Sequence, residues 1–212
     1  MPVPVPTPIL RLVHMDNLET LIQRGGLHAP NHTLDDGRPY RTIHNVEIQA
    51  VRRLRPIPCG PGGTVHDYIS FYFGCRSPML LQLNTGRVAG YDEGQEPLIY
   101  LVSTAQAVAA AEVPFVFSDG HGIAAYTHWY DDLNRLNEID WKMVKARYWA
   151  DTPEDMDRQR RKQAEFLIYQ FCPWPLIREI AVINRASKGR VERILAQARL
   201  GTIVSIKRQW YY

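Results

Sequence analysis

"RRKQAEFLIYQF", residues 160–171, changes character at its sixth position. Arg160, Arg161 and Lys162 stand before Glu165, with Arg158 just upstream; after it come Phe, Leu, Ile, Tyr and Phe, stopped by Pro173 and Pro175. Aromatic and β-branched side chains suit a pleated strand, and proline interrupts one. The stretch therefore reads as a cationic helix running into a strand, with a lone carboxylate at the strand's first position. Thr152 before Pro153 offers an N-cap followed by proline at the first helical position, so the helix is expected over about 153–164. Its apolar face is poor, which places it on the surface.

Outward from this junction the chain is punctuated by turns. On the C-terminal side a strand is expected over 180–184, a helix from Ser187 to Leu200 ending at Gly201, and a strand over 202–208. On the N-terminal side "LIYLVS" (98–103) and "PFVFS" (114–118) read as strands, with a short alanine-rich helix at 105–111 between them. "TVHDYISFYF" (64–73) reads as a strand and "SPMLLQLN" (77–84) as its neighbour. The spacing of Trp129, Leu133, Leu136 and Ile139 predicts a helix in "THWYDDLNRLNEIDWKMV" (127–144). At the start, Ile9 to His14 form a strand. Asp16 and Glu19 then make a capping box for a helix whose face is Leu18, Leu21 and Ile22, ending at Gly25 and Gly26. Residues 28–63, rich in Pro, Gly, Asn, Asp and His, read as a long irregular excursion, and long loops in compact domains tend to be functional. Short strands interleaved with helices, without steady βαβ alternation, indicate an α+β fold.

At 212 residues the chain fits a single domain, 1–212. Apolar residues make up 45% and charged residues 22%, as in soluble globular proteins, and no apolar run approaches the roughly 18 residues of a membrane span. The proline-rich N-terminus lacks the basic and apolar blocks of a signal peptide, so a cytoplasmic location and no membrane are expected. Three widely spaced cysteines, without C-x-x-C or H-E-x-x-H, are expected to be reduced and to bind no metal. The net charge is only +3, but basic residues collect at 158–162 and 185–208.

No G-x-G-x-x-G follows a strand, and G-x-x-x-x-G-K-[ST] and G-x-S-x-G are absent, which removes the main support for Rossmann, P-loop and hydrolase-elbow chemistry. What remains at strand ends and in loops is His14, Arg52, His66, Asp67, Tyr72, Asp119, His121 and Glu165. Each has an ordinary reading: a histidine that closes a strand is usually a satisfied hydrogen-bonding residue, and arginines in a polar loop are usually solvated. Taken alone, these residues define an α+β domain with a suspect carboxylate.

Six blocks add to that reading: "LVHMDNLETLIQRGGLH" (12–28), "GGTVHDYISFYFGCRSPML" (62–80), "VPFVFSDGHG" (113–122), "LNEIDWKMVKARYW" (136–149), "QAEFLIYQFCP" (163–173) and the final "RQWYY". In this order and wording the chain resembles the DarT family of DNA ADP-ribosyltransferases, toxins related in fold to poly(ADP-ribose) polymerases. The resemblance implies central split, antiparallel-rich β-sheets with flanking helices and a cleft for NAD, the co-substrate, with no metal.

It also implies roles. Glu165 matches the catalytic glutamate and Arg52 the second catalytic position, where a guanidinium can bind the cofactor by neutralising its pyrophosphate or stabilise the anion of the target base, with Arg53 adjacent leaving the register open by one. His14 falls where related folds clamp nicotinamide, and Met15, Asp16, Asn17 and Asn31 fall beside it. The stretch 31–55 corresponds to a loop covering NAD and 111–165 to one presenting the substrate. Tyr72 and Met79 match positions that pack the nicotinamide or receive the target base, and His121 lies in the presenting segment. Arg158 and Arg161 are expected on the phosphate backbone of single-stranded DNA, the implied substrate, with a thymine modified. The implied partner is an antitoxin whose macrodomain removes ADP-ribose, and the chain is expected to be a monomer. Ser70 stands where the family usually has proline, and Gln163 lies two residues before Glu165. The other readings are a guanine, RNA or protein acceptor, a non-catalytic nucleic-acid-binding module, or a metal nuclease built on His66, Asp67, Asp119 and His121.

Overall fold

The computed structural model describes all 212 residues. Its strands are β1 (Pro8–His14), β2 (Gly26–His28), β3 (Tyr68–Tyr72), β4 (Leu98–Thr104), β5 (Phe115–Ser118), β6 (Trp129–Tyr130), β7 (Glu165–Tyr169), β8 (Phe171–Pro173), β9 (Glu179–Val182) and β10 (Ile203–Ile206). Helices are α1 (Leu18–Gln23), α2 (Val46–Leu54), α3 (Pro78–Asn84), α4 (Ala105–Ala110), α5 (Trp141–Lys145), α6 (Arg158–Lys162) and α7 (Arg185–Gln197). Eight strands line up as β10-β9-β4-β1-β3-β7-β5-β6, antiparallel except for β9 with β10, while β2 pairs with β8 alone.

The sheet is split in its middle. Strands β1 and β4 pair along seven residues, whereas β1 meets β3 only at Leu10 and Tyr72. Both faces are covered, and the two-residue period of a strand divides β4 accordingly. Ile99 and Leu101 enter the cluster of 31 buried residues, while Leu98, Tyr100 and Val102 enter one of 13 on the other side. Strand β7 is treated the same way, with Phe166 and Ile168 in the larger cluster and Leu167 in a third, of five. The expected α+β class and split, antiparallel-rich sheet are what the chain forms.

Several local expectations are corrected. Asp16 does not cap α1: His14 Nδ1 accepts the Asp16 N–H at 3.2 Å, a single turn of 3-10 helix follows, and the Asp16 carboxylate pairs with Arg41 and Arg190. Residues 28–63 are not wholly irregular, since Asn45 accepts the Ile48 N–H at 3.1 Å and starts the nine-residue α2. "SPMLLQLN" is helix α3, not a strand. Ser77 Oγ caps the Leu80 N–H at 3.2 Å, Pro78 takes the first position, and Leu80 and Leu83 bury at helical spacing. The run 64–73 is a strand only from Tyr68. Before it, Thr64 and Asp67 form a capping box on a 3-10 turn.

The helix expected over 127–144 is broken by its aspartates, which bond nearby backbone instead of continuing the ladder. Asp132 accepts the Asn134 N–H and Asp140 the Met143 N–H, leaving β6, a 3-10 stretch and the short α5. The helix expected over 153–164 shrinks to α6, because Thr152 and Asp155 close a tight turn on each other's backbone. Nor is it a surface element throughout, for Lys162 is buried.

Candidate active site

Strand pairing puts Glu165 directly opposite Tyr72, and Ser70, two residues back along β3, faces the same way. Helix α2 crosses this face. Its one buried residue is Arg52, and Arg52 with Ile48 and Gln49 turns toward the sheet while Arg53 stays exposed. The Arg52 guanidinium grips the Glu165 carboxylate with both nitrogens, at 2.9 and 2.7 Å, and Ser70 Oγ accepts a further bond from it at 2.6 Å. Gly122 N–H donates to Glu165 Oε1 at 3.0 Å. A Cβ at Gly122 would lie 3.1 Å from the Trp129 ring and 3.4 Å from that same oxygen, so the backbone approaches the acid closely because it carries no side chain.

Glu165 is 0% exposed. Burial by itself raises a carboxyl pKa, but the Arg52 charge and hydrogen bonds, with His121 and the Gly122 N–H, outweigh it and hold the group below its ordinary value. The acid is therefore an anion at neutral pH. His121 beside it is pushed down chiefly by burial, against the attraction of Glu165, so its imidazole is neutral there. The Tyr72 hydroxyl is pushed up by burial and by Glu165, and stays protonated.

These groups border a cavity of about 640 Å³, a size suited to a small organic ligand. Its lining draws on β1, β3 and α2, and reaches Leu21 and Leu27 as well as Met79 and Gln82 of α3. A cleft of this size with a charged carboxylate fixed in its wall is suited to stabilising positive charge that appears during a reaction.

A family model described as "ssDNA thymidine ADP-ribosyltransferase, DarT" matches residues 10–212. The chain belongs to the DarT family. It is 43% identical over 212 residues to the DNA ADP-ribosyl transferase of Thermus sp. (strain 2.9), covering 99% of this chain and 98% of that protein. It is 38% identical to that of Escherichia coli O127:H6, over 96% and 93% of the two chains. Two solved structures of Thermus sp. 2.9 DarT superpose closely. The complex with ADP-ribosylated ssDNA has a TM-score of 0.93 at 41% identity, covering 100% of this chain and 99% of that one. The complex with NAD+ has a TM-score of 0.88 at 40% identity, covering both chains fully.

Of the residues that the DarT resemblance singles out, the fold brings Glu165, Arg52, Tyr72, Met79, His121 and Asn17 to the cavity. His14, Met15, Asp16, Asn31, Arg158 and Arg161 lie outside its lining. His14 is buried with Nδ1 on the Asp16 N–H, its Nε2 makes no hydrogen bond but lies 3.6 Å from Glu93 Oε2, and Met15 is in the core. Asn17 instead clasps the segment 31–55, exchanging two hydrogen bonds with the Arg41 backbone at 2.6 and 2.7 Å. Asn31 donates to Asp67 at 2.9 Å and fastens the start of that segment.

The basic run before Glu165 is not a free cationic track. Arg160 bonds Asp119 at 2.7 Å and Asp157 at 2.7 and 2.8 Å, and Arg161 pairs with Asp140, Asp155 and Asp157. Lys162 Nζ donates to the Val144 and Ala146 carbonyls at 2.7 and 2.9 Å, with burial lowering its pKa to about 8. Arg158 donates to the Tyr148 carbonyl at 2.8 Å. The four cations staple residues 119–157 beside the acid. Sequence reading passed over Ser70 except as a departure, and missed Arg11 and the Gly122 main chain. The alternation Ser70, Tyr72 was the available signal for the first. No three His, Cys, Asp or Glu side chains converge, so the nuclease reading finds no ligand set.

Proposed function

We propose that this chain transfers ADP-ribose from NAD to a thymidine of single-stranded DNA, with Glu165 and Arg52 as its catalytic residues. The observation that carries the proposal is the buried, two-pronged Arg52–Glu165 pair in the wall of a dinucleotide-sized cavity. Glu165 faces the ribose and stabilises the positive charge that develops at C1′ as nicotinamide departs. Arg52 keeps that carboxylate ionised and aimed. Ser70 and the Gly122 N–H fix the remaining geometry.

The acceptor side has its own requirement. A pyrimidine N3 attacks only once its proton is removed. The neutral imidazole of His121 borders the cavity next to Glu165 and is placed to meet the base, while Arg52 stabilises the developing base anion. Tyr72 and Met79 supply the surface against which flat rings pack, and an extruded base of single-stranded DNA enters beside the stapled 119–157 segment, part of the presenting region 111–165. Asn17 holds the covering segment 31–55 in place. His14, Met15, Asp16, Asn31, Arg158 and Arg161 act, in this reading, through the segments they fasten rather than on the ligand. The family's toxin role implies an antitoxin partner whose macrodomain removes the ADP-ribose, with the single domain 1–212 acting as a monomer.

The test incubates the protein with NAD and single-stranded oligonucleotides that each lack one base, then resolves products by mass. A mass increase of one ADP-ribose on every oligonucleotide except the thymine-free one is expected. An adduct that follows guanine, or appears only on RNA or protein, contradicts the assignment.

A further inference from the structure

Four arginines line the cavity: Arg11, Arg24, Arg41 and Arg52. Three are already neutralised. Arg24 binds both oxygens of Asp36, Arg41 pairs with Asp16 and Glu93, and Arg52 pairs with Glu165. Arg11 alone of the four has no carboxylate within ion-pair distance. Its Nη1 donates to the Ser70 carbonyl at 2.8 Å, and its Nε is buried without any partner. His44, Tyr72 and Cys172, on which its charge bears, are not anionic at neutral pH. A guanidinium taken partly out of water without a counter-charge is unfavourable unless a ligand provides one.

We infer that Arg11 binds the diphosphate of the dinucleotide, an inference that rests on the NAD reading of this cavity and deepens it. The diphosphate is the anionic part of that ligand, and a planar guanidinium fork matches phosphate oxygens. Position agrees with charge. Arg11 holds the Ser70 carbonyl while Arg52 holds the Ser70 hydroxyl at 2.6 Å, so the two guanidiniums are one residue's width apart. In the dinucleotide a single ribose separates the reacting C1′, set against Glu165, from its phosphate. Arg52, with Glu165 across both of its terminal nitrogens, is left to the reaction centre, and the phosphate falls to Arg11.

The competing role is structural, Arg11 serving only as a brace on the Ser70 carbonyl where β1 and β3 diverge. Calorimetric titration of the full chain with ADP-ribose, which carries the diphosphate, and with nicotinamide, which does not, separates the two. Arg11→Gln is expected to weaken ADP-ribose at least about tenfold, while nicotinamide affinity stays within about twofold. Equal weakening of both ligands, or no weakening of ADP-ribose, overturns the inference. Should Arg11→Gln not fold, Arg11→Lys keeps the charge without the fork and is expected to lose ADP-ribose affinity a few-fold, again selectively; an unselective loss or none overturns it equally. Wild-type protein that binds neither ligand removes the NAD reading itself, an outcome distinct from a wild type that binds both and a variant that binds them as well.

Discussion

Two sets of arginine–carboxylate pairs flank the start of β7, and they differ in what surrounds them. Arg52 and Glu165 are sealed together, their side chains 8% and 1% exposed, in the wall of a cavity. Arg160 and Arg161 pair with aspartates that are 15–39% exposed, at the base of the loop that follows β5. The same ion chemistry serves two ends. In the sealed site the pair holds a carboxylate charge in the cavity wall, where the proposed reaction would use it. At the wetter site the pairs fix the backbone of 119–157, which brings His121 and Gly122 to the acid.

The largest expected effect comes from breaking the sealed pair. Arg52→Ala leaves a buried, unpaired carboxylate and is expected to cost about 3–5 kcal/mol in denaturant unfolding at neutral pH. The sign with pH follows from Glu165. Its folded pKa lies below the free value of about 4.3, so its contribution to stability is present above that pH and is lost as pH falls through the folded value. Without Arg52 the burial cost is opposed only by His121 and the Gly122 N–H, the Glu165 pKa rises, and the acid limb of the kcat profile moves up. An unmoved limb would separate Arg52 from the acid's ionisation.

At the wetter site a smaller effect is expected. Arg160→Ala removes charged hydrogen bonds to Asp119 and Asp157, for about 1.5–3 kcal/mol, and loosens the presenting segment, so KM for the oligonucleotide should rise more than KM for NAD. Equal rises would mean that the staple serves the whole cavity. The exposed pair Arg135–Glu138 marks the floor: Arg135→Ala should change stability by less than about 1 kcal/mol and leave both KM values unchanged.

This contrast also marks what the sequence disclosed. Glu165 was visible because a local change of pattern, from cations to β-formers, is all that the strand start requires. Its partner was not visible in the same way, since the Arg52–Glu165 bond spans 113 positions and only the family resemblance brought the two together. Strands β4, β5 and β7 and helices α4 and α7 followed from continuous apolar runs or regular spacing. Helix α3 stands where the sequence suggests a strand over 77–84, because Met79 to Leu83 satisfies either period over so few residues and the Ser-Pro helix start is easily passed over. His14 shows the limit of position: the end of β1 is legible, but the contacts of its ring with the Asp16 N–H and Tyr91, 77 positions on, are not. The cations at 158–162 show the limit of composition, for their aspartate partners at 119, 140, 155 and 157 were in plain view and unassigned.

The most direct test of the sealed pair as the reaction centre is single-turnover transfer from NAD to a thymidine oligonucleotide by Glu165→Gln, with folding checked by circular dichroism. The amide keeps the shape and removes the charge. Transfer is expected to fall at least about 10²-fold while ADP-ribose still binds; transfer at the wild-type rate would contradict the account.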